Sequence, residues 1–371
     1  MKRFILIGLM AVMVLPGCNH RNDLKNLQLI YATALDLNEN NEIVTTVSIQ
    51  SPVGKQKTSP TQEVVSASSP TMEKSIYKKI AMQLAGPLSS SKNQVMLISE
   101  KLARRDLAAL LDSAFRNSSD TMLALVAIVP GKANDLISLK RSGTDTTGEY
   151  LRKIIISSRD ETVIPHVTLH TIYPVFYDLG RDSFIPIIKK VGESAEVDGV
   201  ALMHDRKYTG FSLNADQTTL LLLLSGERGE LCEIIRKVEE EHSKQDPSQY
   251  ISVNIVGMKR TKRVWIDSEG KVNVRLHLKL KATIIEYGKD HLTDKRIIDQ
   301  LNKRLSEMLT TETEQITKIL RQSHSDVLGI GRDLIAFHPK YWKNIDWETV
   351  YPKTNFQTSI EVKIISKGIT N

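Results

Sequence analysis

The stretch from Lys271 to Glu286 limits the possible folds more than any other. Val272, Val274, Leu276, Leu278, Leu280, Ala282 and Ile284 alternate with Lys271, Asn273, Arg275, His277, Lys279, Lys281 and Thr283. Successive side chains of an extended chain point to opposite faces, so this spacing requires a long strand with one buried and one wet face. Val264-Trp265-Ile266 precedes it across the turn Asp267 to Gly270, which makes a hairpin. From near Thr293 the period changes. Ile297, Leu301, Leu305, Met308, Ile316 and Ile319 recur at three- and four-residue steps, so a long helix is predicted over 293–322. Thr310 to Thr313 is expected to interrupt it softly, and Gly329 and Gly331 to end or break it. Phe356 to Ile365 alternates again. Hairpin, helix and strand make an α+β unit with the helix across an antiparallel sheet.

The first half has another rhythm. Leu27 to Leu35 and Ile43 to Ile49 read as a hairpin around the turn-rich Asp36 to Glu42, and Ser51 to Ser69 as a long exposed loop. A helix is expected from Ser69 as N-cap with Pro70 behind it. Gln94 to Ser99 is a short strand. Ala103, Leu107, Leu110, Leu111 and Ala114 mark one helix face, and Met122 to Val129 a buried strand. Ala133 to Leu139 reads as a short helix, and alternating strands and helices make this part α/β. Tyr150 to Ile156 fits either element. Pro165 and Pro174 favour an extended chain over Thr162 to Tyr177. Two strands flank a turn at His204 to Lys207. Helices are predicted at Asp216 to Leu224 and Leu231 to His242, and a strand at Ile251 to Val256. The expected architecture is mixed α/β and α+β in three domains. They are an N-terminal α/β domain over 27–190, a smaller α+β domain over 191–260, and a C-terminal α+β domain over 261–371.

The chain opens with Lys2 and Arg3, an apolar run from Phe4 to Leu15, and Leu15-Pro16-Gly17-Cys18. A membrane-spanning helix takes about 20 residues, so this run reads as a signal peptide over 1–17. The Leu three positions before a Cys, with small Gly17 directly before it, has the form of a lipobox. Cleavage between Gly17 and Cys18 would leave Cys18 carrying a diacylglycerol and an N-acyl chain, on a polar tether over 18–26. More than one acyl chain makes such anchoring stable. Loss of Lys2 and Arg3 takes the net charge from +7 to 7 − 2 = +5. That mild excess suits an anionic membrane surface and carries no nucleic-acid signature. If Cys18 is acylated, Cys232 is left without a disulfide partner, and its apolar neighbours mark it as a buried inert thiol.

Motifs for metal, phosphate and nucleophile chemistry (HExxH, Walker A, GxSxG, CxxC) are absent. Gly329-Ile330-Gly331 lacks the third glycine of a dinucleotide turn. His166 and His170 would share a helix face, but on an extended chain they lie too far apart for one metal. The basic row Lys271, Arg275, Lys279 and Lys281 is read as a solvated face whose lysines discourage edge pairing, rather than as a lipid or partner site. Trp342 and Trp347, with Tyr341 and Tyr351, read as lids on a core.

The segment Ser325 to Gly368 resembles the C-terminal signature of the Ger(x)C family, through Asp326, Leu328, Gly329, Gly331, Pro339, Trp342, Trp347 and Gly368. Val197-Asp198-Gly199-Val200-Ala201 resembles the start of that family's C-terminal region, and the order lipobox, tether, strand ending at Asp36 matches its beginning. The chain departs from the family in having Asn19-His20 after the Cys instead of Trp-Asp. The resemblance implies a non-enzymatic lipoprotein C subunit of a bacterial spore nutrient receptor, with three domains and no cofactor. It implies anchoring on the outer face of the spore inner membrane beside two integral membrane subunits. Asp198, Gly199, Asp326, Gly329, Gly331, Pro339, Trp342, Trp347 and Gly368 are then structural or interface residues. A lipid-anchored solute-binding protein of a transporter is the alternative. It calls for two similar α/β lobes and more than 5% aromatic residues. An exported hydrolase would need a cluster of acid, base and nucleophile.

Overall fold

The computed structural model describes residues 27–51, 61–69, 73–84, 86–116, 121–139, 145–238, 249–288 and 292–367. The signal peptide, Gly17, Cys18, the tether, Pro70 and Gly368 lie outside the described residues. In chain order the first elements are β1 (Gln28–Leu37), β2 (Ile43–Ser51), β3 (Thr61–Ser69), α1 (Glu73–Ala81), β4 (Leu88–Ser89) and β5 (Val95–Ser99). Then come α2 (Glu100–Ala103), α3 (Leu107–Arg116), β6 (Leu125–Val129), α4 (Asn134–Ile137), α5 (Thr147–Asp160) and α6 (Leu169–Phe176). The hairpin strands β7 (Phe184–Val191), β8 (Ser194–His204) and β9 (Lys207–Leu213) lead into α7 (Ala215–Ser225).

These strands form one mixed sheet in the order β3-β2-β1-β5-β6-β7-β8-β9, with β4 beside β1. Its middle is parallel and its two ends are antiparallel. Every residue of β5 and β6 is buried, as continuous apolar runs covered by helices on both faces must be. Helices α2, α3 and α6 share a core with one face, and α4, α5 and α7 with the other.

The second sheet is built from β10 (Glu233–Lys237), β11 (Tyr250–Ile266), β12 (Val272–Tyr287) and, after α8 (Lys295–Gln322), α9 (Ile330–Phe337), α10 (Pro339–Trp342) and α11 (Trp347–Val350), the last strand β13 (Asn355–Ser366). Its order is β10-β11-β12-β13. The buried set Leu276, Leu278, Leu280, Ile360, Val362 and Ile364 faces Leu301, Leu305 and Leu309 of α8 in one core. That core continues through α7 into the first sheet. Thr218 to Leu224 are all buried, because beyond its first turn α7 is wedged between two layers.

Several expectations need correction. The loop over 51–69 ends in a nine-residue strand, β3, paired to β2. Tyr150 to Ile156, left open between strand and helix, is helical, started by a capping box between Thr146 and Glu149. Thr162 to Tyr177 is not extended throughout. A second capping box, Thr168 with Thr171, starts α6, which tolerates Pro174 inside it. The helix expected over Leu231 to His242 is the strand β10, since Cys232, Ile234 and Arg236 are buried while Leu231 and Ile235 are exposed. Helix α8 is unbroken at Thr310 to Thr313; the Thr313 hydroxyl is buried and donates to the Thr310 carbonyl. It ends at Gln322, and Gly329 instead opens α9 from the left-handed region, φ 66°. The second sheet is not wholly antiparallel. β13 runs parallel to β12, because a parallel neighbour needs a crossover and α8 supplies it. Strands β7 and β8, on either side of residues 192–193, pair in one sheet. Residues 191–260 give β8 and β9 to the first sheet and β10 and most of β11 to the second, with no sheet of their own among the described residues.

Along the outer edge of β13, the backbone N–H groups of Ile360, Val362 and Ile364 donate to Thr310 Oγ1, Ser306 Oγ and Asn302 Oδ1, at 3.0, 2.9 and 2.8 Å. Those three α8 residues are spaced by four, so one helix face carries all the acceptors.

Candidate functional site

Where the two sheets meet, four short segments converge: Asp178 to Ser183 before β7, the β8–β9 turn, Ser323 to Gly331 after α8, and α11. Asp326 is the buried centre. Its carboxylate accepts from the backbone N–H of Ile330 at 2.9 Å and of Gly331 at 2.7 Å, satisfying two donors that a helix start leaves open. Its own N–H donates to Asp182 Oδ2 at 2.8 Å, and its carbonyl accepts from the Asp182 N–H at 3.1 Å. Burial pushes the Asp326 carboxyl up to about 8, although the Gly331 and Ile330 amides pull it down.

Asp182 also accepts from His204 Nδ1 at 3.1 Å, and His204 Nε2 lies 3.0 Å from Glu348 Oε2. Asp205 and Arg206 have φ 44° and 65°, the tight hairpin turn that sets His204 at the end of β8. An imidazole with a carboxylate on each nitrogen is best satisfied as the cation, and the Asp182 hydrogen bond, ahead of the opposing burial, raises its pKa. His324 stands beside it, ring centroids 5.9 Å apart, 3.6 Å from Glu348. An open cleft of about 380 Å³ lies over this group, lined in part by Phe176, Arg181, Asp346 and Glu348.

The two halves touch backbone to backbone here. The Arg332 N–H donates to the Gly180 carbonyl at 2.9 Å. A Cβ on Gly180 would lie 2.5 Å from Arg332 N, and one on Gly331 would lie 2.9 Å from Gly180 Cα. Around that contact Arg332 pairs with Asp178. Lys262 reaches from β11 to Asp333 at 2.7 Å and to the Leu328 carbonyl at 3.1 Å. The Tyr351 hydroxyl donates to the Ser325 carbonyl at 2.8 Å.

Of the residues singled out from the sequence, Asp326, Gly329, Gly331 and Trp347 come together at this joint. Trp342, Trp347, Tyr351 and Phe356 form an aromatic ladder with centroids 5.4 to 6.4 Å apart, packed on the core as expected of lids. Pro339 is the first residue of α10, where its missing N–H costs nothing. Asp198 and Gly199 lie apart, on β8. Asp198 pairs with Lys189 at 2.7 Å, and Gly199, at φ 117°, passes close against the Leu213 carbonyl. Cys232 is fully buried, and burial lifts its thiol to about 11. Sequence reading missed Gly180, Asp182, His204 and Glu348. Gly180 and Asp182 share one segment, but His204 and Glu348 lie on others, and no local spacing connects the three.

The arrangement is a clamp. Both ring nitrogens of His204 are taken by carboxylates, so the imidazole has no free lone pair for a substrate. Its sign with pH follows from the raised pKa. The stabilisation is complete below the ordinary histidine value of about 6.5 and is lost as pH rises through the higher folded value. His204→Asn is therefore expected to flatten the decline of thermal stability that sets in above about pH 6.5, while leaving the two sheets folded. An unchanged slope in denaturation scans would remove His204 from this role.

Two family models match the chain: "spore germination protein N-terminal domain" over residues 20–190, and "spore germination B3/GerAC like, C-terminal" over 198–368. The chain is 23% identical to the spore germination protein GerQC of Bacillus cereus, with full coverage of both. It is 21% identical to the spore germination protein KC of Bacillus subtilis (strain 168), covering 99% of this chain and 96% of that one. Among solved structures, that of the GerBC protein superposes with a TM-score of 0.60 over 90% of this chain and 96% of that one, at 18% identity. That likeness concerns the fold.

Proposed function

The chain belongs to the Ger(x)C, or GerAC-like, family of spore germination proteins, and from that premise we propose that it is the lipid-anchored C subunit of a nutrient receptor. It is held at Cys18 on the outer face of the spore inner membrane and works through contacts with two integral membrane subunits. The observation that carries this reading is the pair of family matches over residues 20–190 and 198–368, directly behind a lipobox at Leu15 to Cys18. Export needs the leader, and the acyl chains confine the protein to two dimensions, which raises its effective concentration near membrane partners. The clamp at Asp326 and His204 supports a role in contacts rather than turnover, because Asp326 is taken up by the Ile330 and Gly331 amides and His204 by Asp182 and Glu348.

Cys18→Ala tests the reading. Spores carrying it are expected to lose the protein from the membrane fraction and to respond more slowly and weakly to nutrients. Normal germination with the protein off the membrane would overturn it. Co-purification of the wild-type protein from spore membranes should bring down two multi-span partners.

A further inference from the structure

The face of the second sheet that points away from α8 is a dense basic surface. Cross-strand neighbours on it are Arg263 with Arg275, Lys259 with Lys279, and Lys281 with Lys363. All six are exposed. Within these rows Glu361 is the carboxylate, 2.8 Å from Lys279. Directly opposed like charges destabilise a sheet, and here three such pairs stack along three strands. Protection against edge pairing does not explain them. Arg275, Lys279 and Lys281 lie on β12, which is hydrogen-bonded on both sides, and the β13 edge is already capped by α8. Local rules broken without structural gain mark a functional surface.

We propose that this face lies on an anionic phospholipid surface. Strands about 4.8 Å apart, with outward residues about 6.8 Å apart along each, spread the cations over roughly 10 by 20 Å. That is an open field of point charges, suited to many headgroups more than to one matched carboxylate. Exposed aliphatics border it. Val256, Ile285 and Ile365 are 43%, 57% and 52% exposed beyond the Lys281–Lys363 row, placed to enter the headgroup boundary. At the other end the Arg263 and Arg275 guanidinium groups lie 5.9 and 5.3 Å from the Trp265 ring centroid, an amphipathic side chain of the kind found at membrane interfaces. The proposal is independent of the lipid on Cys18, since it concerns which surface meets the bilayer.

The test uses the chain from Asn19 to Asn371, which keeps every described residue and lacks both leader and anchor. It is mixed with vesicles of about one-third phosphatidylglycerol in phosphatidylcholine, or of phosphatidylcholine alone, and the bound fraction is read by flotation. Binding is expected only to the anionic vesicles. It should fade as salt rises from about 0.1 M to about 1 M, which shortens the screening length from about 10 to about 3 Å. Each cation near an anionic leaflet strengthens partition about fivefold, so Lys281→Gln with Lys363→Gln should weaken it about 25-fold. Lys281→Glu should weaken partition while raising the Tm, because it replaces a like-charged pair by an opposite one. Equal binding to both vesicle types, or unchanged partition of the double variant, overturns the proposal. So does failure to bind vesicles together with lysine-dependent binding of polyglutamate, which would reassign the face to an acidic protein.

Discussion

Gly180→Ala is expected to be among the most damaging single-methyl changes in the chain, lowering stability by about 3 kcal/mol. The new Cβ meets Arg332 N at 2.5 Å, the Gly331 carbonyl carbon at 2.7 Å and Arg332 Cα at 2.9 Å. All three are backbone atoms, so no rotamer relieves the overlap. The strand-side loop has to lift away from the start of α9. That lift breaks the bond from the Arg332 N–H to the Gly180 carbonyl and loosens the pairing of Asp182 with Asp326. Denaturant unfolding should show the loss, and limited proteolysis should open new cuts near Asp178 to Ser183. Gly257→Ala is the matched control. Its Cβ would first meet Lys281 Cδ at 3.4 Å, the movable part of a flexible side chain, and a near-neutral effect is expected. Equal losses at both positions would contradict the close-contact account.

Asp326→Ala should cost a similar amount, about 3 kcal/mol, by leaving the Ile330 and Gly331 amides buried without an acceptor. Asp326→Asn separates shape from charge. It keeps one acceptor but turns an NH₂ toward the other amide, so an intermediate loss is expected. It also removes a proton site. In the folded protein the Asp326 carboxyl titrates at about 8, against an ordinary 3.8. The folded state therefore holds a proton that the unfolded state has released. Stability from this group is complete below about pH 3.8 and declines as pH rises through about 8. In wild type, raising the pH from 5 to 9 should lower the midpoint; in Asp326→Asn that part of the decline should vanish. A wild-type midpoint that rises over this range would show that the carboxyl is ionised throughout.

What could be read in advance followed the range over which its cause acts. The alternation in β12 and the stripe of α8 are local, and both elements stand within a few residues of the prediction. Where the deciding contact was remote, reading failed. Leu231, Ile234, Ile235 and Val238 suit a helix stripe, yet pairing with β11 makes 233–237 a strand. The direction of β13 was invisible because alternation is the same in either orientation. Gly329 and Gly331 were noticed as helix breakers, but their role at the joint depends on Gly180 and Asp326. The basic row of β12 was legible as charge; its like-charged partners on β11 and β13 emerge only with register. The leader and Cys18 lie outside the described residues, and their reading rests on the Leu15-to-Cys18 motif.

On the anchoring proposed above, the row of acceptors that α8 offers to β13 bears on behaviour at high surface density. Molecules crowded in a two-dimensional film meet edge to edge constantly, and an open strand there would be a template for polymerisation. With Asn302, Ser306 and Thr310 occupying the N–H groups of Ile360, Val362 and Ile364, neighbours that collide along this border find those donors already taken, which works against strand addition there.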